Sequence, residues 1–577
     1  MKLSSLIIAL ALVPGGANIG RTQETSRGSN QTPLASFPKV DQLFAMWDRR
    51  DSPGCALGVI KDGRFVYRRG YGMANLEHGV PIDLRTIFYI ASMSKQFTAM
   101  SIALLARRGK LSLDDDIRKH LPEMPPYQKS PTVRDLIYHT SGIRDFIVLK
   151  YLSGFPIQAV NSDAEMYETM AQTNNQEVLE LIARQRELNF TPGEEFAYSN
   201  SNYLLLGEIV KRVSGKSLAE FADENIFQPL GMVNTHYSND LMEVIKDRAT
   251  GYTPVGKGFA AARTNNGTVG PAGLMTSVED LLLWDRNFYQ NQLSGGDPGL
   301  LDVILTPGRL NDGSKLSYAF GLVHYKYKGL EAVGHDGGFF GFKTSMNRFP
   351  SQKFTVICLC NVRNAPMDGL ADQVADIYLT DQVRSTDTSA ALPAQTVVEL
   401  TEQEPAKYAG IYWNPVTEGL WMLFLKDGRL VDPGGGGSVL VPIGKNRFQV
   451  TGQPVELIFE TPPNGGHPVR MLKVTRGGKP QVYEAVKAAR PALGQLAEYA
   501  GRYTSDEIDA AYTLIVHDGT LTLTRTKGKN VALTPTFSDN FWNDEFGYVK
   551  FTRDRRHKIN GLLYTSSWIR RLRFSKT

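Results

Sequence analysis

A chain of 577 residues is too long for one ordinary domain, and about two to four are expected. Hydrophobic residues make up 42% and charged residues 21%, which is globular usage and excludes a disordered chain. The formal charge is only +5, and no sustained Lys/Arg run is interleaved with aromatics, so nucleic acid is not an expected partner.

Lys2 precedes an apolar run from Leu3 to Val13, and Pro14, Gly15, Gly16 and Ala17 follow. This order reads as a secretory signal over residues 1–17, so a periplasmic or secreted protein is expected. The run is too short to span a bilayer, no Cys stands near the cleavage site to carry a lipid, and no later segment has transmembrane length. Residues 18–36 are polar and read as a linker. Cys55–Lys61 and Arg64–Tyr71 flank Asp62-Gly63, a hairpin signal. A helix is expected over Ser92–Arg108, with Phe97, Met100, Leu104 and Leu105 inward and Gly109 as C-cap. A second is expected over Asn202–Gly215, with Leu205, Leu206, Ile209 and Val213 inward. Strand patterns return at Ala319–Tyr327, Phe339–Phe349 and Lys353–Cys360. Strands at both ends of a helical middle give one α+β domain over 37–382.

Residues 383–399 continue a Ser/Thr/Ala/Pro-rich linker. Beyond it the helical signal nearly vanishes and the text repeats. Tyr408-Ala409-Gly410-Ile411-Tyr412 returns as Tyr499-Ala500-Gly501-Arg502-Tyr503, and Asp427-Gly428 returns as Asp518-Gly519, at the same offset. Two landmarks with one offset imply duplicated units, here runs of short strands that read as small antiparallel barrels over 400–488 and 489–577. The basic stretch Arg553–Arg573 alternates like a strand and reads as a solvated face. Only Cys55, Cys358 and Cys360 occur. Cys358 and Cys360 would share one face of a strand, too close along it to bridge, and all three are expected to pack as small apolar residues. No zinc-ligand spacing is present, and neither a metal nor another cofactor is expected.

Ser92-Met93-Ser94-Lys95 places a hydroxyl and an amine on one helix face. A Ser hydroxyl needs a base to become a nucleophile, and a Lys can be that base when burial lowers its pKa. One such tetrad is weak evidence. A second, Ser36-Phe37-Pro38-Lys39, contains a Pro, lies at the linker and is set aside. Tyr198-Ser199-Asn200 precedes the second helix: the Tyr can relay a proton and the Asn can hold Lys95 or substrate. Tyr412-Trp413-Asn414 is a chance match inside the repeat. His335-Asp336-Gly337-Gly338 opens a late strand-like stretch. No Gly-x-Ser-x-Gly elbow is present, which argues against an α/β-hydrolase.

Taken together, a helix-borne Ser-x-x-Lys, a Tyr-x-Asn and a basic residue with Gly on a late strand resemble the serine β-lactamase and penicillin-binding protein family, in its class C-related branch. Leu136-Ile137-Tyr138-His139-Thr140-Ser141-Gly142 and Gly273-Leu274-Met275-Thr276-Ser277 with Asp280, Leu281 and Trp284 are similar to further family segments. The resemblance covers about 40–380 and implies a β-lactamase/transpeptidase-like α+β domain. It implies that Ser92 forms an acyl-enzyme, that Lys95 and Tyr198 handle its proton, and that Asn200 positions substrate or Lys95. His335 would stand where many relatives have the Lys of Lys-Thr-Gly. Gly337 and Gly338 would border the substrate, the Gly338 N–H forming an oxyanion hole with that of Ser92. His139 and Ser141 read as structural. Because His335 and Asp336 replace a permanent cation and a hydroxyl, peptidase, amidase or esterase activity on small or short-peptide substrates is favoured over β-lactam hydrolysis. The two barrels resemble the architecture of bacterial D-aminopeptidase, in which a loop of the all-β tail narrows the site; the sequence does not single out that loop. A D-Ala-D-Ala carboxypeptidase, a weak β-lactamase and a non-catalytic penicillin or wall sensor remain the alternatives. The stretch Ile143–Glu187 is expected to form a lid or substrate wall.

Overall fold

The computed structural model describes residues 38–154, 173–380 and 405–577, apart from 241, 263, 265, 433–437, 452–454, 464–465, 476–479, 526–529 and 545. The expected signal and first linker, and the whole of 383–399, lie outside the described residues. Among the described residues no helix is long and apolar enough to cross a membrane.

The α+β unit is built on a six-stranded antiparallel sheet ordered Val323–Tyr327, Leu330–Phe339, Phe342–Phe349, Phe354–Cys360, Cys55–Lys61, Arg64–Tyr71. The first strand in the chain therefore lies beside the last, which is why strand patterns bracket a helical middle. Cys55–Ile60 is buried throughout instead of alternating, because both faces of the sheet are covered. On one face Ala56, Ile60 and Met346 pack with Phe97, Met100 and Leu204 of helices Lys95–Arg107 and Asn200–Ser214. On the other, Leu57, Val59 and Val356 pack with Val40 and Phe44 of helix Pro38–Phe44 and Val374 of helix Met367–Leu379. Lys39 of the set-aside tetrad thus begins a helix instead of lying in a linker.

The local expectations are met with small shifts. Asp62 and Gly63 both have left-handed φ, 49° and 71°, as a two-residue hairpin turn requires. Helix Asn200–Ser214 ends on a left-handed Gly215. Ser92 sits in a 3₁₀ turn, Ala91–Ser94, that feeds helix Lys95–Arg107. His335, Gly337 and Gly338 lie within strand Leu330–Phe339 rather than opening a strand. Ala319–Leu322 turns before its strand starts at Val323.

The cysteine expectation is corrected. Cys55 and Cys360 are disulfide-bonded, and they stand directly opposite in neighbouring strands. The spacing of Cys358 and Cys360 says nothing about a partner far away in the chain, and register supplied one. Cys358 remains a buried thiol beside Cys360.

Each repeat closes into an eight-stranded antiparallel barrel, the first from Gly410 to Val486 and the second from Gly501 to Lys576. The duplication is visible atom by atom. Tyr412 donates from its hydroxyl to the Tyr408 carbonyl at 2.9 Å, and Tyr503 to the Tyr499 carbonyl at 2.8 Å. Asp427-Gly428 and Asp518-Gly519 are matching turns with left-handed φ. Trp413 of the chance Tyr-x-Asn match packs on Tyr548, ring centroids 4.9 Å apart, and so joins the barrels.

The second barrel also grips the α+β unit. Helix Phe146–Leu152 places Leu149 and Leu152 in the cluster of Tyr503, Tyr512 and Leu514, and Tyr512 donates to the Leu152 carbonyl at 2.6 Å. Leu149, Leu152 and Leu181 of the Ile143–Glu187 stretch therefore dock on a barrel, while Ile143, Phe146, Val178 and Ile182 pack into the α+β core; residues 155–172 of that stretch lie outside the described residues.

Candidate active site

Three segments meet at Ser92. The first is its own 3₁₀ turn, entered through Ala91 with a left-handed φ of 47°, a strained value for a residue with a Cβ. The second is the Tyr198-Ser199-Asn200 segment, where Ser199 is the extended N-cap of helix Asn200–Ser214. The third is strand Leu330–Phe339, which packs along the turn: Thr344 on the neighbouring strand donates to the Ile90 carbonyl at 3.0 Å. Gly337 is required there, since a Cβ would come within 2.2 Å of the Ile90 oxygen and 2.4 Å of Thr344 Oγ1.

Lys95 Nζ has three partners: Ser92 Oγ at 3.1 Å, Asn200 Oδ1 at 3.0 Å and the Pro271 carbonyl at 2.8 Å. The side chain is fully buried, and burial lowers its pKa from 10.5 to about 7, with Asp145 pulling it back up. A neutral amine has two hydrogens and one lone pair. The two carbonyl oxygens can only accept, so they take the hydrogens and leave the lone pair facing the Ser92 hydroxyl. That is the arrangement of a general base beside a nucleophile.

Tyr198 lies with its ring 4.8 Å below Lys95 Nζ. Burial raises its pKa, and a hydrogen bond with Ser92 partly offsets that. The phenol is therefore held protonated and can donate. Asn200 is fixed by Asp145, whose Oδ2 accepts from the Asn200 backbone N–H at 2.6 Å and from its Nδ2 at 2.9 Å.

His335 faces the same centre. Its Nδ1 is 2.6 Å from the Asp336 carbonyl, which can only accept, so Nδ1 carries the proton and Nε2 accepts from the Tyr318 hydroxyl at 3.3 Å. Burial, reinforced by Lys95, lowers its pKa to about 4. The ring is neutral at neutral pH, so it supplies no permanent positive charge. Gly338 is exposed, beyond His335 on the strand. His139 is buried among Tyr198, Tyr203 and Tyr318, with Nδ1 accepting from the Ser199 N–H at 3.2 Å. Ser141 donates to Asn202 Oδ1 at 2.6 Å. Both brace the Tyr198 segment from behind.

Residues outside the sequence motifs complete the site. Asp145 could have been found as an N-cap before the apolar run Phe146–Leu149, but its link to Asn200 could not. Tyr318 has no signal. Trp568, in the last hairpin of the second barrel, places its ring edge-on 6.3 Å from that of Tyr198. Its loop is clamped: Arg570 pairs with both carboxylate oxygens of Glu195 at 2.9 Å, and Asn189 exchanges hydrogen bonds with the Trp568 carbonyl and the Arg570 N–H. The sequence gives no sign that this loop of the barrel reaches Tyr198. Beside it a cleft of about 730 Å³ opens between Tyr127, Phe190, Glu194, Val416 and Arg571. Among the described residues the one cluster with metal-ligand chemistry is Cys55, Cys358 and Cys360, and the disulfide leaves it a single thiol.

The Beta-lactamase family pattern matches residues 40–379. A D-aminopeptidase of Gluconobacter oxydans is 28% identical over 82% of this chain and 83% of its own length. A D-aminopeptidase of Brucella anthropi is 28% identical over 56% of this chain and 58% of its own. Among solved structures, the octameric penicillin-binding protein homologue from Pyrococcus abyssi superposes with a TM-score of 0.52 at 22% identity, over 85% of this chain and 99% of that one, which speaks to the fold alone. With the family matched across the whole α+β unit, the chain belongs to the Beta-lactamase family, as a serine hydrolase similar to its D-aminopeptidases.

Proposed function

We propose that the protein is an exported hydrolase that forms an acyl-enzyme on Ser92 and cleaves amide bonds of small substrates carrying a D-residue at a free amino end. The observation that carries the reading is Ser92 Oγ held at 3.1 Å from a buried Lys95 amine whose other two partners are pure acceptors. Neutral Lys95 takes the Ser92 proton as Oγ attacks the carbonyl. Protonated Tyr198 donates to the departing amine and is reprotonated by Lys95, which holds the proton taken from Ser92. Water then enters, gives its proton back along the same path and releases the acid. The Ser92 and Gly338 N–H groups would receive the oxyanion.

The aminopeptidase direction is supported by the D-aminopeptidase relatives and by His335. A neutral imidazole stands where a carboxypeptidase or β-lactamase would use a cation for the substrate carboxylate. Export is supported by the N-terminal sequence and by the Cys55–Cys360 disulfide, which persists in oxidising compartments. The test is labelling with a fluorophosphonate probe, alongside turnover of D-alanine p-nitroanilide, its L-enantiomer and its N-acetylated form. Label on Ser92 that is lost in Ser92→Ala, with turnover of the free D-substrate alone, is expected. Label without any preference for the free D-amine would overturn the substrate class, and a folded, unlabelled protein would overturn the reaction.

A further inference from the structure

Arg144 and Asp145 are neighbours that face opposite ways. Arg144 is fully buried against the second barrel: Nη1 donates to Glu507 Oε2 at 2.8 Å and Gln185 Oε1 at 3.1 Å, and Nη2 donates to the Arg570 carbonyl at 2.9 Å. Asp145 points into the catalytic centre, where Oδ2 holds both nitrogens of Asn200 while Oδ1 accepts from the Ile147 N–H at 2.9 Å. The helix that Asp145 starts is the one inserted into the barrel. Ser201 staples the stretch, donating to the Arg144 carbonyl at 2.7 Å and accepting from the Phe146 N–H at 2.9 Å.

We infer that the second barrel completes the catalytic centre: Asp145 is a positioning residue that fixes the Asn200 amide against Lys95, and Glu507 of the barrel holds Asp145 in place through Arg144. The inference rests on the roles given above to Ser92 and Lys95. An Asn amide has two orientations. Rotated, it would point its NH₂ at Lys95 and its oxygen at the Asp145 carboxylate, so the carboxylate allows only the orientation that accepts from Lys95. Glu507 is equally committed. Its Oε2 also accepts from the Arg186 N–H at 2.9 Å, and its carbonyl accepts from Gln185 Nε2 at 2.8 Å. The Arg144–Glu507 pair is desolvated, so removing one partner leaves an uncompensated buried charge and moves the backbone it anchors.

The titratable groups around Lys95 are Asp145 before the barrel-bound helix, Tyr198 and Tyr203 with their rings toward Nζ, and His139 and His335, both neutral. Asp145 is the carboxylate among them: burial raises its pKa, the N–H groups of Asn200 and Ile147 oppose that, and in its charged form it favours charged Lys95. Without it the amine loses its proton at lower pH.

The test measures, in the full chain, the rate of fluorophosphonate labelling of Ser92 against pH. Asp145→Asn, which keeps the N-cap, is expected to lower the plateau at least tenfold and move the acid limb to lower pH. Glu507→Gln is expected to lower the plateau and move the limb the same way, and the double variant to match Asp145→Asn alone. A limb unmoved in Asp145→Asn, or a Glu507→Gln protein that melts earlier yet labels with the wild-type rate and limb, overturns the inference while the catalytic reading stands. Additive effects in the double variant also overturn it. If Glu507→Gln does not fold, Tyr512→Phe loosens the same helix by one hydrogen bond; a limb moved to lower pH supports the inference and a wild-type limb overturns it. A wild-type chain that takes no label at Ser92 overturns both readings together.

Discussion

Trp568, on the last hairpin of the chain, stands edge-on to Tyr198 in the candidate active site, their rings 6.3 Å apart. The residue is 41% exposed although its ring borders that of Tyr198. Trp568→Ala removes an apolar wall without touching the proton path. KM for the preferred substrate is expected to rise about 5- to 50-fold, the worth of a lost aromatic contact of roughly 1–2.5 kcal/mol, with kcat changed less than threefold. Steady-state kinetics on the amide decides it; a loss confined to kcat would place the indole in the chemistry.

Lys95 gives two linked pH effects. As the proposed base it must be neutral, so kcat/KM is expected to rise as pH passes through about 7. Its folded pKa lies below the unfolded value of 10.5, so between those values the unfolded chain binds more protons and stability rises with pH. Lys95→Met removes that penalty, roughly 5 kcal/mol at neutral pH and below by the shift in pKa. The variant is expected to lose at least a thousandfold in rate. It should be more stable than the wild type near pH 7, by a margin that shrinks toward pH 10. Denaturant melts across that range measure the margin, and a constant margin would mean that Lys95 is not desolvated.

Gly337→Ala tests the close approach of the strand to the Ser92 turn. A methyl group meets backbone at Ile90 and cannot be absorbed by a rotamer, so strand and turn must separate. Overpacking of this kind costs about 1–3 kcal/mol. Because the displaced groups border Ser92, labelling is expected to slow 10- to 100-fold while the melting temperature falls by only a few degrees.

The Cys55–Cys360 bridge joins the strands of the sheet that come first and last in the chain, neighbours within it, across a separation of 305 residues. Cys55→Ser, or thiol reductant on the wild type, is expected to lower stability by about 2–4 kcal/mol through the freed unfolded chain, with kcat unchanged. Mass spectrometry of the alkylated protein should show one reactive thiol before reduction under denaturing conditions and three after. Three before reduction would disprove the bridge.

Much of this protein was legible in the sequence because much of its structure is local. Ser92 and Lys95 share a helix face by spacing alone, Asp62-Gly63 dictates a hairpin, and the repeated Tyr-Ala-Gly and Asp-Gly landmarks announce two copies of one barrel. Combined in order, the motifs also identified the family, since each constrains the others. What the sequence left undecided were relationships across long separations, where spacing carries no information. Cys55 meets Cys360 only because the first and last strands of the sheet pair in one register. The protonation of His335 follows from its burial beside Lys95, not from its neighbours in the chain. Asp145, Arg144, Glu507 and Trp568 belong to the site only because the second barrel docks on the helix that Asp145 begins. Docking of that kind is decided by the fit of buried surfaces and paired charges, which exist only once both units have folded.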